Sequence, residues 1–123
     1  MRKTRLHTPF VPLPTRLIDE VMPALGDTEW RVLCVVTRCT LGWVSPDGKG
    51  RKRRDWLTHS QLKRRTGRAG EAVSRAVDRL VRRGLIEVVD RKGSSIHTAS
   101  ERRRLRGRLY YGLSTAILSL PRS

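Results

Sequence analysis

Between Thr66 and Arg91 the chain reads TGRAGEAVSRAVDRLVRRGLIEVVDR. This stretch constrains the fold more than any other. Val73, Ala76, Val77 and Leu80 recur at helical spacing and form one apolar stripe. The opposite stripe carries Glu71, Ser74, Arg75, Asp78 and Arg82. Gly67 marks a turn before this helix, and Gly84 stops it. Just upstream, THSQLKRRTG holds Thr58 and Gln61 at the spacing of a capping box, in which a hydroxyl and an amide satisfy free backbone N–H groups at a helix start. Leu62 on that first helix faces the core. Two helices joined by a tight turn and packed through apolar faces describe a helix-turn-helix.

The residues after Gly84 extend the motif. LIEVVD at 85–90 reads as a strand and LYYGLS at 109–114 as its antiparallel partner. The intervening RKGSSIHTASERRRLRGR reads as a long basic hairpin loop. Strand, basic loop and strand after such a helix make a winged helix. An ordinary α+β domain with exposed basic loops is the alternative.

The N-terminal half supplies the remaining core. FVPLP is extended, because a residue before proline is pushed out of the helical region. Thr15 can cap a short helix with Leu17, Ile18, Val21 and Met22 on one face, ended by Pro23 and Gly26. Asp27 or Thr28 can cap a second helix, TEWRVLCVVTRCTLG. In it Trp30, Leu33, Cys34, Thr37 and Leu41 keep the helical period, and Val32, Val35 and Val36 widen the apolar face. It reads as the central buried helix, stopped by Gly42. A Gly-, Pro- and Lys/Arg-rich loop and a short strand near Asp55–Leu57 lead to the helix-turn-helix. The expected fold is therefore α+β: a winged helix-turn-helix of three to four helices, a small antiparallel sheet and a long basic wing. Its expected divisions are an extended arm at 1–14, the domain at 15–114 and a tail at 115–123.

Charge points to the partner. The chain of 123 residues has a formal net charge of +16. Residues 1–50 hold 7 Lys/Arg against 5 Asp/Glu, a net of +2, whereas residues 51–123 hold 20 against 6, a net of +14. The basic half is thus the contact surface, and the simplest partner is a dense polyanion such as nucleic acid or an anionic membrane surface. No apolar run approaches the roughly 18 residues of a membrane span. The basic N-terminus lacks the apolar stretch of a signal peptide. These features predict a soluble intracellular protein without a membrane partner, and double-stranded DNA as its ligand.

The major groove admits one helix, read by side chains near its N-terminus. Gly70, Glu71, Ser74 and Arg75 are the base-reading candidates. Arg75 can match both acceptors of guanine, contact phosphate, or pair with Glu71. Glu71 can accept from cytosine N4 or favour the helix N-terminus. The phosphate-binding candidates are Arg51, Lys52, Arg53 and Arg54 before the motif, Arg64, Arg65 and Arg68 on and after its first helix, and Arg91 and Lys92 beyond it. Arg102, Arg103, Arg104, Arg106 and Arg108 in the wing can track the backbone or enter a minor groove.

Catalysis is not expected. The acidic residues are dispersed, Tyr110 and Tyr111 sit on a strand without a His pair, and no Gly-rich nucleotide loop is present. No cofactor or metal is expected either. His7, His59 and His97 share no ligand spacing with Cys34 and Cys39. The two cysteines lie about 140° apart on a helix, too far round to pair, and read as buried reduced thiols.

The run TPFVPLPTRLIDEVMPAL, then EWRVLCVVTRCTLGW, LTHSQLKRRTG and AVSRAVDRLVRRGLIEV resembles the N-terminal domain of the bacteriophage replication protein O family over residues 9–90. FVPLP and TRCTLGW are its more specific pieces; the pattern around VSRA and GLI occurs in many winged-helix regulators. The resemblance implies binding to origin repeats, usually as a homodimer, in phage or plasmid replication initiation. It also implies a bacterial or phage-infected cytoplasm and helicase-loading partners. Ala69 stands where a Ser usually caps the second helix, and both the 44–55 loop and the wing look long. The family also carries a further C-terminal region past the point matching Ser123, which leaves an excised domain and a stand-alone DNA-binding half open. A transcriptional regulator of the same fold, or an RNA-binding or protein-interaction module, is the alternative reading.

Overall fold

The computed structural model describes residues 9–118. Expectations for His7, most of the arm and the end of the tail lie outside them. The described chain is α+β. Helix α1 spans Asp27–Cys39, α2 His59–Thr66, α3 Gly70–Arg82, α4 Ala99–Arg104 and α5 Thr115–Leu118. Strands β1 (Asp55–Trp56), β2 (Ile86–Val89) and β3 (Tyr110–Leu113) form an antiparallel sheet in the order β1–β3–β2.

Helix α3 forms where its period requires it. Val73, Ala76, Val77 and Leu80 are all buried. Each large apolar side chain among them contributes about 1.5–3 kcal/mol by leaving water. The helix ends in a Schellman turn. Gly84 has φ +70°, its N–H donates to Val81, and Leu85 N–H donates to Leu80, with Leu80 and Leu85 both buried. Helix α2 begins with the expected capping box: Gln61 N–H donates to Thr58 Oγ1 at 3.0 Å and Thr58 N–H to Gln61 Oε1 at 2.8 Å. Gly67 ends it at φ +69°, a left-handed turn that aims α3 across α1. One core joins Leu33 and Val36 of α1, Leu62 of α2, the α3 stripe, Val88 of β2 and Tyr111 and Leu113 of β3.

Three expectations are corrected. Residues 17–22 do not make a regular amphipathic helix. Leu17–Val21 is a π turn, closed by Met22 N–H donating to Leu17, and Met22–Ala24 is a 3₁₀ turn. The wider winding takes Ile18 and Met22 off the apolar face, so both are exposed and only Leu17 is fully buried. Helix α1 is capped by Gly26 rather than Asp27 or Thr28, with the Glu29 carboxylate accepting the Gly26 N–H at 2.9 Å. Its inward face is centred on Val32, Leu33, Val36 and Thr37, with Trp30, Cys34 and Leu41 only partly covered. Gly42 follows because a Cβ there would stand 2.3 Å from the Arg38 carbonyl oxygen.

The third correction concerns the expected basic loop. After β2 the chain makes a tight turn in which Asp90 Oδ1 accepts from Lys92 and Ser94. It returns along β2, with Ser95 opposite Val89 and Ile96 N–H donating to Val88. It then folds into α4, which packs on α3. Thr98 caps α4 by accepting the Glu101 N–H at 3.2 Å, and the Glu101 carboxylate accepts from His97 N–H.

Candidate nucleic-acid interface

Helix α3 is seated at both ends. At its start, a Cβ on Gly70 would stand 3.2 Å from His59 Nε2 and 3.5 Å from Lys63 Cδ, so α2 and α3 meet closely here. Ala69 precedes α3 and offers no side-chain cap. Burial and the nearby positive charges of Lys63 and Arg102 hold the His59 imidazole below its ordinary 6.5. The C-terminal carbonyl of α2 is satisfied from outside the motif: Arg31 of α1 donates to Thr66 O at 2.7 Å.

Helix α4 decides which part of α3 stays open. Arg102 crosses to α3, donates to the Ser74 carbonyl at 3.2 Å, and puts Nη1 2.9 Å from Asp78 Oδ1. The ion pair is close but lacks hydrogen-bond alignment. The Arg102 side chain is only 8% exposed, so this guanidinium holds the fold together. That overturns its reading as a wing contact. Ser74 is half-buried beside α4, and Gly70, Glu71 and Ser74 share a cleft of about 470 Å³ with His59, Arg102 and Arg103.

The open part of α3 lies further round. At about 100° per residue, Ser74 is some 60° from Glu71 on the α4 side, while Arg75, Arg82 and Arg79 lie about 40°, 20° and 80° to the other side. Glu71, Arg75, Arg79 and Arg82 are all exposed. Arg75 approaches Glu71 only to 3.9 Å, with both side chains mostly in water, a pairing too weak to hold it. Arg79 and Arg82 have no ion-pair partner among the described residues. Neither was among the sequence-derived contact residues. The signal was present for both: Arg75, Arg79 and Arg82 follow one another at helical spacing.

The expected phosphate contacts do not form one footprint. Arg64 is exposed on α2, and Arg103, Arg104 and Arg106 are exposed on and after α4. Arg65 instead donates to the Cys39 thiol and turns toward α1. Arg68 is half-buried in the α2–α3 turn. A second group lies on the face of the sheet turned from the core. There Arg53 crosses Gly112, whose Cβ would stand 2.3 Å from the Arg53 carbonyl oxygen. Arg54 pairs with Glu87 at 3.3 Å; Lys52 pairs with Asp55 at 2.7 Å on the other side of β1, since Asp55 is the register partner of the buried Tyr111. Arg54, Arg91 and Lys92 surround Tyr110. Arg51 is exposed just before this segment, and Arg108 lies over the Trp56 ring at 4.0 Å. Burial would raise the Glu87 carboxyl, but donation from Thr115 and Arg54 outweighs it and holds the group below 4.5.

Among the described residues no group of His, Cys, Asp or Glu is arranged to hold a metal, and no helix is long and apolar enough to cross a membrane. Cys34 and Cys39 are both free thiols. No protein-family model, curated protein or solved structure matches the chain.

Proposed function

We propose that this chain is a winged-helix protein that binds double-stranded DNA sequence-specifically, with α3 in the major groove. The observation that carries the reading is the open run of Arg75, Arg79 and Arg82 along a helix anchored by four buried side chains. A helix of 13 residues suits one major-groove crossing. Its first turns reach base edges, so Arg75 reads, with guanine as its natural partner. Arg79 and Arg82 lie further along and meet phosphate. Helix α4 takes the place of a flexible wing and sets Arg103 beside α3, with Arg104 exposed on the same short helix. Arg102 is the positioning residue that locks α4 there. The protein acts by binding, without cofactor or metal.

The resemblance to the replication protein O family supplies the context. In that reading the chain recognises origin repeats in phage or plasmid replication, as a homodimer on paired sites, and works with helicase-loading proteins in the cytoplasm of a bacterial or infected cell. The test is selection of bound sites from a random duplex library, followed by titration of the selected duplex across salt. About 6–10 phosphate contacts would weaken binding on the order of 10³–10⁵-fold between roughly 50 and 200 mM salt. No enriched sequence, or a binding constant flat across that range, would refute the proposal. Repeated sites at an origin fit replication initiation, whereas a single site at a promoter fits a transcriptional regulator.

A further inference from the structure

The outer face of the sheet differs chemically from α3. Trp56 of β1 and Tyr110 of β3 are register partners, and Tyr110 pairs in turn with Val89 of β2. Partners across antiparallel strands project to the same side. Their neighbours Tyr111 and Val88 are buried in the core, so strand alternation puts Trp56, Tyr110 and Val89 on the opposite side of the sheet, where Trp56 is open, Tyr110 is partly covered and Val89 is buried beneath its neighbours. Trp56 is 41% exposed, high for an indole. Val89 and Tyr110 line a groove of about 310 Å³ together with Arg54, Arg91, Lys92 and the acidic Asp90; Trp56 lies outside this lining.

We propose that this row is a second binding site, which takes the unpaired bases of single-stranded DNA. Two adjacent aromatic groups flanked by cations offer what a single strand needs: ring faces for bases and positive charge for the phosphates between them. A B-form duplex keeps its base faces stacked inside the helix and cannot use the rings. Arg108 already occupies the Trp56 ring. A base that takes its place replaces one planar group by another and frees the guanidinium for the adjoining phosphate. Arg54 is partly neutralised by Glu87, so charge alone favours this face less than it favours α3. The stacking surface distinguishes it.

The site is independent of how α3 reads duplex DNA. The test uses the full chain and a short labelled oligothymidylate in fluorescence anisotropy at about 0.2 M salt, where charge contributes less. Trp56→Ala and Tyr110→Ala should each weaken oligothymidylate binding about tenfold. Both should leave duplex binding within about twofold, and Trp56→Phe should restore most of the affinity. Equal weakening on single strand and duplex, or none on the single strand, would overturn the site. Tighter binding of oligouridylate than of oligothymidylate would overturn its assignment to DNA. If Trp56→Ala alters the fold, judged by circular dichroism, Trp56→Leu decides: it keeps an apolar side chain on β1 without a ring, and should weaken oligothymidylate binding about tenfold while leaving duplex binding within about twofold. A chain that binds oligothymidylate through Trp56 but no duplex would refute the α3 reading alone. The reverse result would refute this one alone.

Discussion

Two basic surfaces of this molecule differ in shape and in how far their cations are paired. The outer side of α3 is a convex ridge with guanidinium groups at helical spacing, and no aromatic side chain among its exposed residues. The outer side of the sheet has Trp56 and Tyr110 side by side on adjacent strands, and its Arg54 is paired with Glu87. A net charge of +14 over residues 51–123 describes both equally and separates neither. Geometry separates them: a ridge fits a groove, and an aromatic row fits exposed bases. The same lesson holds between neighbours in sequence. Arg102 is buried against Asp78, whereas Arg103 is exposed.

The largest expected effect breaks the ridge at its base. Leu80→Ala removes a fully buried side chain from the α3 stripe and from the turn that packs Leu85. It should cost about 2–5 kcal/mol in urea unfolding. If the cost is below about 1 kcal/mol, α3 is not seated in the core through this stripe. Next comes the contrast between adjacent arginines. Arg102→Ala leaves Asp78 without its partner and removes the second donor to the Ser74 carbonyl, at a cost of about 1–3 kcal/mol. Arg103→Ala should stay within about 0.5 kcal/mol. Equal costs for the two would contradict the assignment of Arg102 to the fold.

A smaller effect lies in pH. The His59 imidazole is held below 6.5, so the unfolded chain takes up its proton first as pH falls. Its contribution to stability is therefore complete above 6.5 and is lost as pH falls from there through the folded value. NMR titration of His59 should give a midpoint below 6.5, moving upward in Arg102→Ala as one repelling charge is removed. A midpoint at or above 6.5 in the unaltered chain would contradict the close approach of α2 to α3 and the nearness of Arg102 to His59.

The α2–α3 unit was legible in the sequence because each of its devices is local. Thr58 and Gln61, the glycines at 67 and 84, and the Val73–Leu80 stripe act within a few residues of one another. Strands β2 and β3 were legible for the same reason. Helix α4 was not, although Thr98 and Glu101 have the spacing of a cap. A helix of 6 residues is too short to show a period, and its arginine run looks like a solvated loop. The role of Arg102 depends on Asp78, and the pairing of Trp56 with Tyr110 on strand register. Both are long-range facts that no local pattern contains. The π turn at Leu17–Val21 was hidden likewise, because its residues keep an ordinary helical spacing in sequence.

The central claim is that the open side of α3 reads sequence while the arginines beside it hold the backbone. The most direct measurement titrates Arg75→Ala, and separately the Arg103→Ala, Arg104→Ala pair, against the selected duplex and a random duplex at several salt concentrations. Arg75→Ala should cost about 1–3 kcal/mol on the selected site, relax the preference at one base pair, and leave random duplex nearly unchanged. The paired substitution should weaken both duplexes alike and lower the salt slope by about 1 for each phosphate no longer neutralised. If Arg75→Ala weakens both duplexes by the same factor, Arg75 is a phosphate contact, and the account of α3 as the reading helix through that side chain is wrong.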